Sequence, residues 1–451
     1  MTENLSKTVS QYIGPNGPDP AELTLCVHCG LCLNYCPTYL ELGTEPDSPR
    51  GRLQLMRALD EGRVDASPRV QLHFDRCLQC RACETACPSN VPYGRLMEAT
   101  RANFFERRPK SLRQRLLWGL VMRRIFPYPR RLKFLLSGLR WYQKCGFQNL
   151  IRRTGILWRI STKLASIEAL TPNATRPFFH PRDIYSYSSS TTTKTSAALL
   201  TGCVMPFIYG DTHRATARVL SRNGVRLVAA EKQVCCGALH AHSGDIETAK
   251  KLARKNIDVF LASEPDAIVV NSAGCGSHMK EISHMLRDDP EYASKAAYFS
   301  SLVSDIHEYL VKINFEPPKG VIQRSITYQD SCHLVHAQQI TEAPREILRS
   351  IPGLDLREME HPDRCCGSAG IYSLAQSELS RDLLKSKMTE INATSAEQVC
   401  SANPGCMVQL DAGLRLFGDR KTEKTERTLH TIELLDESYR NAEGTQYADK
   451  V

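Results

Sequence analysis

The sequence predicts a multidomain α+β protein: a helical, cysteine-rich N-terminal domain, a basic helical middle region and two repeated α/β cysteine-rich lobes. Three observations predict it. Two cysteine runs of identical spacing stand near the N-terminus. Between Arg101 and Arg182, nineteen Lys and Arg face only two acids, Glu106 and Glu168, in a stretch with apolar residues at helical spacing. From Ala197 onward, three cysteine landmarks recur about 130 residues apart.

A chain of 451 residues should build two or three cores. The N-terminus, MTENLSKTVSQYIGPNGPDP, has no apolar core and does not read as a secretory signal. The longest nearly apolar stretch, Ala197 to Tyr209, is broken by Thr201, Gly202 and Pro206. It falls short of the roughly 18 residues of a spanning helix, so no membrane crossing is expected. Eighteen cysteines could form a disulfide framework. That solution belongs to small secreted domains lacking an adequate core, whereas tight clusters in a long chain point to metal ligation.

The first element, residues 1–103, holds Cys26-x-x-Cys29-x-x-Cys32-x-x-x-Cys36-Pro37 and Cys77-x-x-Cys80-x-x-Cys83-x-x-x-Cys87-Pro88. This is the bacterial ferredoxin run, occurring twice. Two-residue gaps let a tight loop turn three thiolates toward one cubane. The fourth cysteine is expected at a helix start, where the following proline suits the first helical position. By that pattern Cys26, Cys29, Cys32 and Cys87 hold one [4Fe–4S] cluster, and Cys77, Cys80, Cys83 and Cys36 a second. Zinc would explain a C-x-x-C pair but neither the later cysteines nor the prolines. Between the runs, Pro49-Arg50-Gly51-Arg52 leads into a helical segment, which points to an α-helical two-cluster domain. Arg50 and Arg52 could offset cluster charge or lie on the surface.

The second element, residues 104–195, carries the basic excess and ends in a Ser/Thr run, Tyr185 to Ser196, that reads as a linker. Segments such as RQRLLWGLVMRRIF and RRLKFLLSGLRW could lie on anionic lipid or dock an acidic partner. Nucleic acid is a third reading, but nothing else in the chain resembles a nucleic-acid module.

The third and fourth elements, residues 196–318 and 319–451, are the repeat. Cys203 corresponds to Cys332, Cys235-Cys236-Gly237 to Cys365-Cys366-Gly367, and Cys275 to Cys406. Strand-like runs at Ala197–Leu200, Ala267–Asn271 and Ser325–Gln329 alternate with helical stretches at Thr212–Asn223, Asp245–Ala262 and Ser377–Ile391. The cysteines should therefore sit at strand ends and loops. Adjacent cysteines seldom bridge each other, so each pair suggests a shared metal site, of iron–sulfur or zinc. The histidines nearby, His240, His242, His333 and His336, could be ligands or proton carriers. Cys145 and Cys400 stand outside every motif and read as buried structural thiols.

The repeat resembles the cysteine-rich domain of heterodisulfide reductase subunits and of iron–sulfur subunits of 2-hydroxy-acid dehydrogenases. Its fullest form there ends in C-x-x-C and offers five thiolates. Here Ser272 and Asn403 occupy the position three before Cys275 and Cys406, leaving four thiolates per site. The order of elements, with CVHCGLCLNYCPTY, CCGALHAHSGD and HPDRCCGSAGIYSL, resembles the iron–sulfur subunits of bacterial glycolate oxidase. That resemblance implies an electron-transfer chain, inactive alone, working with flavin subunits that oxidise glycolate to glyoxylate. It also implies a quinone or other acceptor that is neither NAD nor oxygen, and a cytoplasmic location at the inner membrane. Related subunits serve lactate and anaerobic glycerol-3-phosphate dehydrogenases, and a catalytic, heterodisulfide reductase-like role is the remaining alternative. No G-x-G-x-x-G follows a strand, so no flavin or nucleotide site is expected in this chain.

Overall fold

The computed structural model describes residues 10–12, 17–107, 111–161, 165, 168–172, 174, 177–187, 195–419 and 427–444. Serine–proline pairs start the helices of the N-terminal domain. Ser48 Oγ accepts from the Gly51 amide at 3.0 Å and opens the helix Pro49–Asp60; Ser67 plays the same part for Pro68–Asp75. A side chain at Gly51 would collide with the Glu45 carbonyl, which is why glycine divides the two arginines of Pro-Arg-Gly-Arg. Met56, Leu59, Phe74, Leu96 and Met97, each at most 1% exposed, fill the core between these helices and Tyr93–Arg107. Burying each contributes roughly 1.5–3 kcal/mol. Cys36 caps the helix Pro37–Leu42 as expected. Cys87 does not begin a helix. Pro88 lies in a turn, and the next helix starts only at Tyr93.

Each lobe is a four-stranded parallel sheet. In the first, β1 (Thr195–Leu200), β2 (Val225–Val228), β3 (Ala267–Val270) and β4 (Val303–Asp305) lie in the order β2-β1-β3-β4. In the second, β5 (Arg324–Gln329), β6 (Leu354–Leu356), β7 (Gln398–Ser401) and β8 (Leu429–His430) repeat that order as β6-β5-β7-β8. Ala197 pairs with Ala267 in one sheet and Ile326 with Gln398 in the other. Helices cover both faces, so Ile268, Val269 and Val270 are fully buried, as a central parallel strand requires. The strand order reverses between β1 and β3, and again between β5 and β7. The carboxyl ends of such neighbours form a ready-made crevice.

The lobes are joined by charge as well as by apolar packing. Arg218, on the helix Gly210–Arg222, makes two hydrogen bonds to Asp436 at 2.8 and 2.7 Å on the helix Thr431–Ala442. The middle region forms the helices Leu112–Leu120, Pro129–Lys144 and Phe147–Thr154, with a π-turn at Val121–Ile125. It docks on the first lobe through Asp245, which accepts from Trp118 Nε1 at 2.9 Å and from Arg123 at 2.7 and 2.9 Å. Of the Ser/Thr run, Tyr185–Tyr187 end a 3₁₀ turn and β1 begins at Thr195; residues 188–194 lie outside the described residues. Cys400 is fully buried on β7. Cys145 is not buried: it caps an exposed helix end, its thiol donating to the Tyr142 carbonyl at 3.3 Å. Among the described residues, no helix is long and apolar enough to cross a membrane.

Candidate iron–sulfur sites

The two N-terminal runs fold into loops of the same backbone shape. His28 and Gly30 in the first, and Gln79 and Arg81 in the second, hold positive φ at matching positions (56° and 87°; 52° and 64°). Three of these are not glycine, so the loops carry strain that the packing must hold. The turn aims backbone N–H groups inward, as the Gln79 amide shows by donating to Cys77 Sγ at 3.4 Å.

Cys26, Cys29, Cys32 and Cys87 line one small cavity, together with Cys83 and Arg50. Burial pushes the Cys32 thiol up to about 11. The second set gathers around Cys83, whose thiol is raised by burial and then by Cys80, Cys77 and Cys36. Tyr93 Oη donates to Cys77 Sγ at 3.6 Å, and Cys36 Sγ lies 3.3 Å from Thr38 Oγ1. Beside them Arg52, 1% exposed, donates to the His73 carbonyl, to Thr38 and to the equally buried Asp47. Arg50 instead pairs with exposed Glu45 and reaches the His28 carbonyl. So Arg52 is the buried cation of the motif and Arg50 the loop clamp.

Four sulfurs around a shared space in the first set, and an amide donor turned onto Cys77 in the second, fit a cubane's donor set. Among the described residues no three Cys, His, Asp or Glu side chains converge as a single ion would require.

In the lobes every cysteine of the motif lies at the carboxyl end of a strand. Cys203 follows β1, Cys235 and Cys236 follow β2, and Cys275 follows β3; Cys332, Cys365, Cys366 and Cys406 repeat the placement. Cys275 and Cys406 are not in loops, however. Each sits in the first turn of a helix, Ala273–Lys280 or Pro404–Phe417. The four thiols of each lobe shift one another's acidity in the order Cys203, Cys235, Cys236, Cys275 and Cys332, Cys365, Cys366, Cys406, and Cys236 Sγ donates to Cys275 Sγ at 3.2 Å. Gly237 and Gly367 take φ of 98° and 86°, and a Cβ on Gly367 would strike the Ser380 carbonyl at 2.7 Å. All eight lobe cysteines line a single cavity of about 1640 Å³ between the lobes.

The second N-terminal run abuts the second lobe. Leu78 packs with Cys365 and Tyr372, and the Cys80 thiol is raised by burial and next by Cys365. His333 Nε2 donates to the Gln79 carbonyl at 2.8 Å, and His336 Nδ1 meets Thr85 Oγ1 at 3.0 Å. His240 Nε2 donates to the Met122 carbonyl at 2.7 Å, and His242 pairs with Glu98 at 2.7 Å. The four candidate histidines are thus committed to neighbouring groups. Burial lowers His242 and His333 to about 4, so both are neutral at pH 7. Gln79, Glu98 and His278 were missed by sequence reasoning. They join this junction through tertiary contact, with His278 6.4 Å from His242; Gln79 fills a variable position of its cysteine run, and Glu98 and His278 lie outside every motif.

Family models match along the chain: a 4Fe-4S dicluster domain over 22–91, a linker region of glycolate oxidase iron–sulfur subunits over 113–171, and a cysteine-rich domain over 197–280 and 326–411. The probable glycolate oxidase iron–sulfur subunit of Bacillus subtilis is 37% identical over 430 residues, covering 93% of this chain and 95% of that one. The glycolate oxidase iron–sulfur subunit of Escherichia coli is 33% identical over 90% of this chain and 94% of its own length. Lactate utilization protein A of Shouchella clausii matches at 28% over 53% of this chain and 98% of that protein. Paired cysteine loops, a basic helical linker and two matched thiol lobes thus agree with relatives alike along nearly their whole length, and the chain belongs to the family of glycolate oxidase iron–sulfur subunits.

Proposed function

We propose that this chain is the electron-transfer subunit of a glycolate oxidase complex, carrying electrons from flavin subunits toward a membrane quinone. Cys26, Cys29, Cys32 and Cys87 would hold one [4Fe–4S] cluster, and Cys77, Cys80, Cys83 and Cys36 another. When bound, such clusters accept and release single electrons. Around the second set the residues bury Cys36, Cys77 and Cys83, donate to sulfur from Tyr93 and the Gln79 amide, and place the Arg52 charge nearby. The observation that carries the reading is the packing of the second cysteine run on Cys365 of the second lobe, which makes the thiol sites of two domains neighbours. An isolated relay needs no such contact.

Flavin partners are inferred because the sequence offers no nucleotide-binding fingerprint. Substrate choice then belongs to those partners, and the likeness to lactate utilization proteins keeps lactate as the second candidate. The test is reconstitution. The chain alone should reduce no dye with glycolate, and added flavin subunits should restore glycolate-dependent dye reduction. Cluster-loaded chain that leaves the flavin subunits' rate unchanged would refute the reading.

A further inference from the structure

The cavity between the lobes does more than face the cysteines. At one end its wall is made by Leu117, Leu135 and Leu139 of the middle helices; Leu117 and Leu135 are also 61% and 59% exposed. The cavity therefore reaches the outer apolar face of those helices. Further walls are apolar, including Phe104, Leu136 and Ile208. At another part of the wall stands Gln79, 3% exposed, and among the described residues neither Nε2 nor Oε1 of its side chain has a hydrogen-bond partner. An unpaired buried amide costs about 1–3 kcal/mol and calls for an explanation. Nearby Arg101 has its terminal nitrogens committed to the carbonyls of His242, Phe74 and Cys77 and keeps its Nε unpaired among the described residues, so the Gln79 amide is the uncharged polar group left at this wall.

We propose that this cavity binds an isoprenoid quinone, its ring on the Gln79 amide and its tail running toward Leu117 and Leu135. The inference rests on the electron-transfer reading and names where its acceptor sits. The chemistry fits both oxidation states. Gln79 Nε2 donates to a quinone carbonyl, and Oε1 accepts from the quinol hydroxyl, so the amide serves both states without changing its own charge. Conversion takes two electrons delivered by the chain's redox groups and two protons from water, and leaves the quinol. Gln79 lies between Cys77 and Cys80, so a ring held there touches the second cysteine loop. A small hydrophilic acid would bury its polar groups against Phe104 and Leu136, whereas a prenyl tail would not. The volume exceeds the roughly 300–1,000 Å³ of an ordinary small-ligand site, leaving room for the inorganic groups on the lobe cysteines as well.

The test uses the full-length, iron-loaded chain and decylubiquinone. Trp118 lines the cavity, so binding should quench its fluorescence, with Trp118→Phe as the control. Gln79→Leu should weaken binding by about tenfold, the worth of one good hydrogen bond. Leu135→Arg, at the mouth, should weaken it at least as much. Electron paramagnetic resonance of both variants should match the parent; if Gln79→Leu disturbs the signals, Leu135→Arg alone decides. Absence of saturable quenching overturns the proposal, and so does unchanged binding in Leu135→Arg. A complex that reduces a soluble dye but binds no quinone sinks this site and leaves the electron-transfer reading intact. Quinone binding in a complex that passes no electrons supports the site and refutes that reading.

Discussion

Ser272 and Asn403 hydrogen-bond to each other across the boundary between the two lobes, with Ser272 Oγ donating to Asn403 Oδ1 at 3.3 Å. They are equivalent positions in the repeat, 131 residues apart, where the fullest form of the cysteine motif would place a fifth thiol. Asn403 Oδ1 also accepts from the Gly274 amide at 3.2 Å, and its Nδ2 donates to Cys406 Sγ at 3.5 Å. One side chain therefore ties the first lobe's strand end to the second lobe's thiol site. Asn403→Ala leaves the half-buried Gly274 N–H without its partner, so unfolding should cost about 1 kcal/mol less. Urea denaturation of the iron-loaded chain measures this. An unchanged midpoint would show that the contact is incidental.

The cysteine spacing and the repeat were legible because ligation fixes residue types at fixed offsets, and both sheets follow from apolar runs that recur with them. Other features were not. β4, β6 and β8 run two or three residues, too short to show a period. Cys275 has glycine on either side, which reads as loop, yet the strand before it feeds a helix directly. Cys145 was expected inside because it stands outside every motif, where a free thiol is ordinarily buried, but its helix turns Phe134 and Trp141 to solvent, 86% and 73% exposed. The Ser272–Asn403 pair and the unpaired Gln79 amide are products of tertiary packing, and no local pattern announces them.

Cys87 lines the cavity of the first run although it closes the second run in sequence. Cys87→Ser should therefore alter the same resonance signal as Cys29→Ser, and a different one from Cys80→Ser. Electron paramagnetic resonance of the reduced, anaerobically prepared variants separates the cases. Matching spectra for Cys87→Ser and Cys80→Ser would reverse the ligand assignment.

Asp47 is 0% exposed and accepts from Arg52, His73, Arg76 and Thr44. Burial would raise its carboxyl; the hydrogen bonds from His73 and Thr44 with the Arg52 charge outweigh this and hold it below the usual range. Asp47→Ala strands the buried Arg52 guanidinium beside the second cysteine set. Removing one partner of a buried ion pair costs about 3–5 kcal/mol. The expected result is a destabilised N-terminal domain that loses iron on gel filtration. A loss below about 1 kcal/mol would mean the pair is not what holds Arg52 in place.

His213 sets a pH limit. Its Nε2 donates to the Thr201 carbonyl at 3.0 Å, and its Nδ1 accepts from Asn271 at 3.1 Å, a pattern only neutral imidazole satisfies. Burial, first among its causes, lowers it from 6.5 to about 3. Between those values the unfolded chain binds a proton that the folded chain refuses. Stability is thus level above pH 6.5 and falls as pH drops toward 3, by a few kcal/mol in order of magnitude. His213→Gln should reduce proton uptake on unfolding at pH 5 by about one. If the two slopes coincide, His213 is not the group responsible.

The outer face of the middle helices makes the most exposed prediction. Leu112, Phe134, Leu135 and Trp141 are each more than half exposed, and Arg124, Arg130, Arg131 and Lys133 stand exposed along the same stretch. Apolar side chains bordered by cations suit an anionic bilayer surface, where each basic residue contributes about 1 kcal/mol and salt screens it. Arg123 does not belong to this set, because its guanidinium is spent on Asp245. Flotation with phosphatidylglycerol vesicles should retain the iron-loaded chain, and phosphatidylcholine vesicles should retain much less. Replacing Arg124, Arg130 and Arg131 with Gln should lower retention severalfold without changing iron content. The parent should lose retention likewise as the Debye length shrinks from about 8 Å at physiological salt to about 3 Å at 1 M. Phe134→Ser with Trp141→Ser should lower it on both lipids, since the apolar term does not depend on headgroup charge. If vesicle retention is unchanged but the yield of complex with flavin subunits falls, the face docks a partner. If neither moves, cations and apolar side chains alike face only water.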